Sequence, residues 1–563
     1  MLSGEQYSAV MHGEGRALCI AGPGSGKTRV IALRAARLAC EMAEKRAGAK
    51  GPGGVVLTLS FNRHACGEMK ERGEGFLKRA GVPDNTARFS TVHAYCYYLI
   101  RRRLELRGEA PPAVLEQAET EDILRRLYKG ITGADASKDV LKELKRSVCG
   151  TEKNFIEREI DAKRRRFLSI ADDVAVLYAE TKRRLGVIDF DDMLAEAARI
   201  LKSDEEFLAE TRRAFLFTQV DEAQDLSAVQ AEIIELISEG NIFYVADDDQ
   251  SIYGFRGAEP DILKGLGARS VYMLERNYRS NSEIVEVASR FIRGNEGRFG
   301  KRLSAHKGAG GSVTLMRFAD IEKQADFAVA KMLECAAKGR SACVLYRNNA
   351  SAVMVLTKLF FAEKKRKIEI LPKVGGERVR FGESGFTRAV AEMIRCEEDE
   401  YLDRKGPGVI PGAGSIYRRL EKRGAIGSVM AAVGAGRRAL YAAALERAAR
   451  IIAGKAVTGD VFERLVSEID AFETDGPSLV NLSTVHSAKG LEYDTVIVID
   501  CVKGEFPSGE GKGENAMREE RRLMYVAMTR AKSELVIAYP SRCGNLIFEA
   551  GSFVRELEED CGY

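Results

Sequence analysis

The chain has no tryptophan, only five histidines, and eleven cysteines with no CxxC spacing among its 563 residues. Without a Cys or Cys/His cluster, a zinc site, an iron–sulfur cluster and a disulfide framework are all disfavoured. A reducing, cytoplasmic compartment is the simplest expectation. No apolar run approaches the roughly 18 residues that a membrane span requires, and the N-terminus lacks a signal-peptide pattern, so no membrane partner is expected. A dominant charge sign is missing too: 87 Lys and Arg face 83 Asp and Glu, a net +4. That balance permits nucleic-acid binding without arguing for it. Basic residues do cluster in RRRLELR from Arg101, KRRRF from Lys163 and KRRL from Lys182. Each cluster reads equally well as a solvated helix face or a phosphate-facing one.

What is present is a set of short apolar runs rich in β-branched and aromatic residues: ALCIA (17–21), VVLTLSF (55–61), AFLFTQV (214–220), IFYVA (242–246), ACVLY (342–346), TVIVID (495–500) and ELVIAY (534–539). Runs of this kind, alternating with helical segments, predict parallel sheets buried on both faces and hence an α/β class. The runs fall into two groups. One is interrupted by a charged, helix-like stretch at 101–186, the other by a Gly-, Ala- and Arg-rich stretch at 381–475. Two α/β domains are expected, residues 1–100 with 187–274 and residues 275–380 with 476–563, each carrying an inserted, mainly helical subdomain.

Three loops carry phosphate chemistry. AGPGSGKT (Ala21, Gly22, Pro23, Gly24, Ser25, Gly26, Lys27, Thr28) lies between a strand and a helix. It departs from the strict P-loop pattern only in having Ala21 at the first position. Its glycines allow a tight loop whose N–H groups wrap phosphates, and the helix N-terminus adds a favourable dipole. Lys27 would reach the β and γ phosphates of ATP, and the Thr28 hydroxyl would hold Mg²⁺. In VDEAQD (220–225), Asp221 would bind Mg²⁺ through water and Glu222 would orient and deprotonate the attacking water. In VADDDQSIYGFRGA (245–258), Gln250 and Arg256 are donors suited to a phosphate, while Tyr253 and Phe255 are flat surfaces suited to a base. Transition-state charge on the γ phosphate calls for an arginine, and Arg256, Arg279 and Arg530 are the candidates.

The order and wording of these motifs resemble superfamily 1A helicases of the UvrD/Rep type. Gln6 in LSGEQ, AGPGSGKT, TLSFNRHACGEM (58–69), STVHAY (90–95), DFDDML (189–194), VDEAQD, DDDQSIYGFRGA, NYRS, VLYRNNA (344–350), STVHSAKGLEY (483–493) and EERRLMYVAMTRA (519–531) follow that family's succession. The resemblance implies two RecA-like parallel-sheet P-loop domains, with 381–475 as a reduced second insert. It implies that Gln6, Arg29 and Tyr278 frame the adenine and that Glu492 contacts the ribose. Gln250 would sense the γ phosphate. Phe61, His93, Tyr253, Phe255 and His486 sit at positions that contact single-stranded DNA in the family. Phe255 stands where relatives often have Trp, and Ala246 where they usually have Gly.

The implied activity is an ATP-dependent DNA helicase or translocase, moving 3′ to 5′ on single strands and acting at single-strand/duplex junctions in repair or recombination. The alternative is a DNA-stimulated ATPase that remodels nucleoprotein, or a subunit of a helicase–nuclease or defence complex with a nuclease or repair protein as partner. The chain ends close to where the family's core ends, so no appended nuclease domain is expected.

Overall fold

A β-branched strand buried on both faces needs a layer of apolar helix above and below it, and the first half of the chain builds this arrangement. A computed structural model describes residues 2–45, 56–61, 63–82, 86–136, 138–149, 162–254, 262–348, 351–352, 354–355, 357–359, 373–374, 377–378, 479–510, 513–543 and 546–561. The expected second insert, 381–475, and the expected site residues Phe255 and Arg256 lie outside the described residues. The chain divides into two compact units, Met1–Glu275 with Phe299–Lys301, and Arg276–Arg298 with Arg302–Tyr563.

The first unit holds a six-stranded sheet in the spatial order Ala87–Thr91, Val56–Ser60, Phe217–Val220, Ile242–Ala246, Ala17–Ala21, Ser270–Leu274. Every pairing is parallel. Side-chain alternation explains the two layers. Leu18 and Ile20 join a core with Ile242, Tyr244 and Ala246 on one face, while Ala17, Cys19 and Ala21 join Phe243 and Val245 on the other. Polar groups buried in the sheet are paired: Gln219 donates to Thr58 Oγ1 (3.0 Å) and the Ile31 carbonyl (3.2 Å) and accepts from Arg34 (2.9 Å).

Helices Gln117–Thr132, Lys138–Cys149 and Ala162–Leu185 form a small core of their own around Leu124, Leu141, Leu144, Val174 and Tyr178. The basic cluster at 101–103 is consumed by ion pairs to Glu105, Glu210 and Asp204. Lys182 is held between Asp189 (2.7 Å) and Asp192 (2.6 Å). Arg103 and Lys182 are largely covered in these pairs, whereas Arg101 and Arg102 keep about half of their side-chain surface exposed.

The second unit holds a five-stranded parallel sheet in the order Ser312–Phe318, Ala531–Pro540, Tyr493–Val498, Ala342–Tyr346, Val480–Thr484. Val344, Leu482, Ile497 and Val536 pack with helix Ile321–Ala337 on one face. The architecture is thus two parallel α/β sheets of the RecA-like kind, as the sequence led one to expect. No helix among the described residues is long and apolar enough to cross a membrane.

Candidate functional site

The strand order brings three loops together. Phe217–Val220, Ile242–Ala246 and Ala17–Ala21 are neighbours in the sheet, in register Val220 to Tyr244 and Ala246 to Ile20. The loops leaving their C-terminal ends therefore share one crevice, the usual ligand position of an open parallel sheet.

The loop after Ala17–Ala21 turns through Gly24 (φ 66°) and Gly26 (φ 85°), left-handed conformations that a Cβ would strain. A Cβ on Gly26 would also lie 2.8 Å from Gln6 Nε2. Gly22 N–H donates to the Leu274 carbonyl (3.1 Å), and Ser25 Oγ donates to the Gly22 carbonyl (2.7 Å), while Pro23 is buried beside them. Helix Lys27–Lys45 then starts, with Thr28 and Arg29 in its first turn, so the unpaired N–H groups of a helix start lie at the loop. The Lys27 ammonium lies 3.5 Å from the Ala21 carbonyl and 3.5 Å from Asp247.

Gln6 sits in helix Gly4–Met11, where Ser3 and Gln6 form a reciprocal capping box. Its Nε2 donates to the Ser25 carbonyl (2.8 Å). The side chain expected to read adenine is therefore packed on the phosphate loop itself.

At the second loop Asp221 is buried, and the charges of Asp221 and Lys27 both act on the Cys19 thiol. Burial pushes the Cys19 thiol up to about 12, with Lys27 opposing the shift and Asp221 adding to it. Glu222 adopts φ 52° and ψ 42°; the only other described non-glycine residue at positive φ is Asp500. Such strain persists only where surrounding contacts fix it. Glu222 accepts the Asp225 N–H at its carbonyl (2.9 Å), and its carboxylate accepts from Gln224 Nε2; Gln224 Oε1 in turn accepts the Asp247 N–H (2.9 Å). The Gln224 carbonyl accepts from Ser251 Oγ (3.2 Å). Gln224 is fully buried and bridges the second loop to the third, a role its place in VDEAQD did not reveal.

In the third loop Gln250 is buried and donates to Asp247 Oδ2 (2.6 Å). Burial alone would raise the Asp247 carboxyl, but the facing Lys301 and Lys27 ammonium groups hold it at about 2. Lys301 was not expected at this site; it lies in GKRLSAH, which carries no recognisable pattern.

Two aromatics expected to face DNA are in mutual contact: the Phe61 and Tyr253 rings stack with centroids 5.4 Å apart and planes 26° apart. His93 meets Phe190 edge-on at 5.9 Å. Phe190, in DFDDML, is large, apolar and 42% exposed, and its place in that segment did not mark it as a contact residue.

The second unit gathers another group. Arg279 donates from Nε to Glu492 (2.7 Å) and from Nη1 to the Thr529 carbonyl (3.0 Å). Lys532 approaches Glu492 from its other oxygen (3.0 Å). Arg530 is buried and donates to the carbonyls of Val526 (3.0 Å) and Leu491 (3.2 Å). Tyr278 packs against His306 at 4.8 Å between ring centroids. His486 lies in the turn after strand Val480–Thr484, half-buried.

Comparison with known families places this geometry in context. Residues 2–269 match the family model for the UvrD/REP helicase N-terminal domain. Residues 272–372 and 462–542 match the UvrD-like helicase C-terminal domain, with the stretch between 372 and 462 unmatched. The chain is 28% identical over 650 residues to ATP-dependent DNA helicase UvrD1 of Mycobacterium tuberculosis, covering 95% of this chain and 82% of that protein. It is 27% identical over 620 residues to ATP-dependent DNA helicase PcrA of Bacillus subtilis, covering 94% and 82%. It is 26% identical over 630 residues to PcrA of Leuconostoc citreum, covering 95% and 81%.

Proposed function

The chain belongs to the UvrD/Rep family of superfamily 1A helicases, ATP-hydrolysing DNA motors, and from that premise we propose that it moves 3′ to 5′ on single-stranded DNA and separates strands at single-strand/duplex junctions. The observation that carries this reading is the linkage of the three loops: Lys27 to Asp247, Asp247 to Gln250, and Asp247 through Gln224 to Glu222. A γ phosphate held at Lys27 is then coupled to the carboxylate that would activate water and to the loop that continues to Tyr253.

The residues present fit magnesium. Asp221 is a buried carboxylate in the same crevice as Lys27, and Thr28 adds a hydroxyl at the helix start. Two hard oxygen donors suit an ion that keeps several waters and a phosphate oxygen. When bound, Mg²⁺ neutralises charge on the β and γ phosphates. The protein's own part is distinct. Backbone N–H groups of Gly24, Gly26 and Lys27 bind the phosphates, and Glu222, held by Gln224, accepts a proton from the attacking water. The family resemblance gives Arg279 and Arg530 the role of transition-state cations and Tyr278 and Glu492 that of base and ribose contacts. Phe61, Tyr253, His93, Phe190 and His486 carry the strand by stacking and edge contacts that tolerate any sequence.

The unmatched stretch between 372 and 462 favours a second reading, a DNA-stimulated ATPase that remodels nucleoprotein or serves a nuclease or repair protein as a subunit. Matched 3′-tailed, 5′-tailed and blunt duplexes separate the two, with Lys27→Ala as the inactive control. Unwinding of the 3′-tailed duplex alone is the expected outcome. Strong single-strand stimulation of ATPase with no duplex opened would replace the helicase reading by the second, and opening of the 5′-tailed duplex would reverse the polarity.

A further inference from the structure

Residues Phe299–Lys301 are a short excursion of the chain. Arg298 before them and Arg302 after them belong to the second unit, yet these three residues belong to the first. Phe299 packs against the first unit's core, and its N–H donates to Asp248 Oδ2 (2.8 Å). The Lys301 ammonium lies 2.5 Å from Asp247 Oδ1 and 2.8 Å from Asp249 Oδ2, and it also contacts Asp248. Its side chain has no solvent exposure.

Three consecutive carboxylates whose oxygens lie within 4.8 Å of one another would repel strongly in a buried loop. A single ammonium with three N–H donors facing three acceptors matches their number, which the planar fork of an arginine does not. The first of the three, Asp247, is also the hub of the hydrolytic loops. It accepts from Gln250 (2.6 Å), faces Lys27 (3.5 Å), and gives its N–H to Gln224, the holder of Glu222.

We propose that Lys301 is a positioning residue for ATP hydrolysis: it fixes Asp247, and through Asp247 it sets Gln250, Lys27 and the Gln224–Glu222 pair. This rests on the ATPase reading above and adds to it a residue from outside the phosphate-binding loops. Lys301 touches no reacting atom on this account. Its loss should slow turnover without weakening nucleotide binding in proportion, because the backbone cradle of Gly22–Gly26 is built independently of it.

The test is steady-state ATPase of Lys301→Met, Gln250→Ala and the double variant with a saturating oligo-dT strand. It is accompanied by the dissociation constant of a fluorescent ATP analogue and a thermal melt for each variant. Lys301→Met should lower kcat by about tenfold or more while the analogue's dissociation constant changes by less than about threefold. The double variant should be no slower than the worse single variant by more than about twofold, since both act through one hub. Lys301→Arg keeps the charge but not the geometry, so it should fold and show the same split between kcat and binding.

Lys301→Met with wild-type kcat and only a lowered melting temperature would overturn the proposal, as would losses that multiply in the double variant. If Lys301→Met does not fold, wild-type turnover by Lys301→Arg would overturn it equally. Failure of the underlying reading looks different: no DNA-stimulated turnover by the unaltered chain, or no effect of Gln250→Ala.

Discussion

Gln224 offers a sharp test of how the hydrolytic loops are held. It is fully buried and makes two distinct bonds, one as donor to the Glu222 carboxylate and one as acceptor from the Asp247 N–H (2.9 Å). Gln224→Leu removes both at nearly constant volume. A hydrogen bond to a charged group is worth about 1.5–3 kcal/mol, and a buried N–H left without an acceptor costs about 1–3 kcal/mol. The first loss bears on turnover, because Glu222 already sits in a strained left-handed conformation and would relax away from its proton-accepting position. At about 1.4 kcal/mol per factor of ten, kcat should fall roughly 10- to 100-fold. The second loss bears on stability, because it weakens the anchoring of the loop that carries Gln250.

Gln224→Glu separates the two effects. It keeps an oxygen for the Asp247 N–H but sets a second carboxylate against Glu222. Turnover should fall at least as far as in the leucine variant, while the thermal midpoint stays closer to the unaltered protein. The assay is DNA-stimulated ATPase at saturating ATP beside a thermal melt for each variant. A leucine variant with kcat within about twofold of the original would refute the claim that Gln224 holds the general base.

Two further outcomes follow from other parts of the structure. Tyr253→Ala removes one face of the Phe61–Tyr253 stack and, with it, about 1–3 kcal/mol of base stacking, so single-strand affinity read by fluorescence anisotropy should fall roughly 5- to 150-fold with DNA-free ATPase retained. Unchanged affinity would make the pair structural. At Glu492, burial would raise the carboxyl, but Arg279 and Lys532 outweigh it and hold it at about 2. Its folded value is therefore below its unfolded value of about 4.3, so the stabilisation is complete above that pH and fades as pH falls toward 2. Glu492→Gln should flatten the acid limb of the melting temperature across that window, and parallel limbs for the two proteins would contradict the pairing.

The strands legible in the sequence share one property. All seven runs read as buried strands became interior strands of the two sheets, including Phe217–Val220, Tyr493–Val498 and Ala531–Pro540. The remaining four strands of these two sheets, Ala87–Thr91, Ser270–Leu274, Ser312–Phe318 and Val480–Thr484, were not foreseen, and they are the edges of the two sheets. An interior strand covered on both faces and paired on both sides reads as a continuous apolar run. An edge strand tolerates polar and charged residues: ARFST carries Arg88, and SVTLMRF alternates between exposed and half-buried positions. The helix boundaries around the first insert were blurred for a related reason. Helix Val92–Leu106 begins in the sheet's core, with Leu99 and Ile100 buried there, and continues past residue 101 into charged sequence.

The site divides along a different line. Lys27, Asp221, Glu222 and Gln250 are legible as candidates because phosphate chemistry calls for such groups at fixed offsets from a strand end. Gln224 and Lys301 are invisible by the same logic, since each acts on another side chain rather than on a ligand, and no spacing rule governs that. Lys301 lies 54 residues beyond Asp247 and reaches it only because three residues of the chain leave the second unit for the first. The acidic run Asp247–Asp249 was the one clue available. Three adjacent carboxylates at the end of a buried strand cannot all stay ionised without a cation, and the cation had to come from a metal or a side chain. The structure shows a lysine in that place: the Lys301 ammonium lies against all three carboxylates and offsets part of their charge.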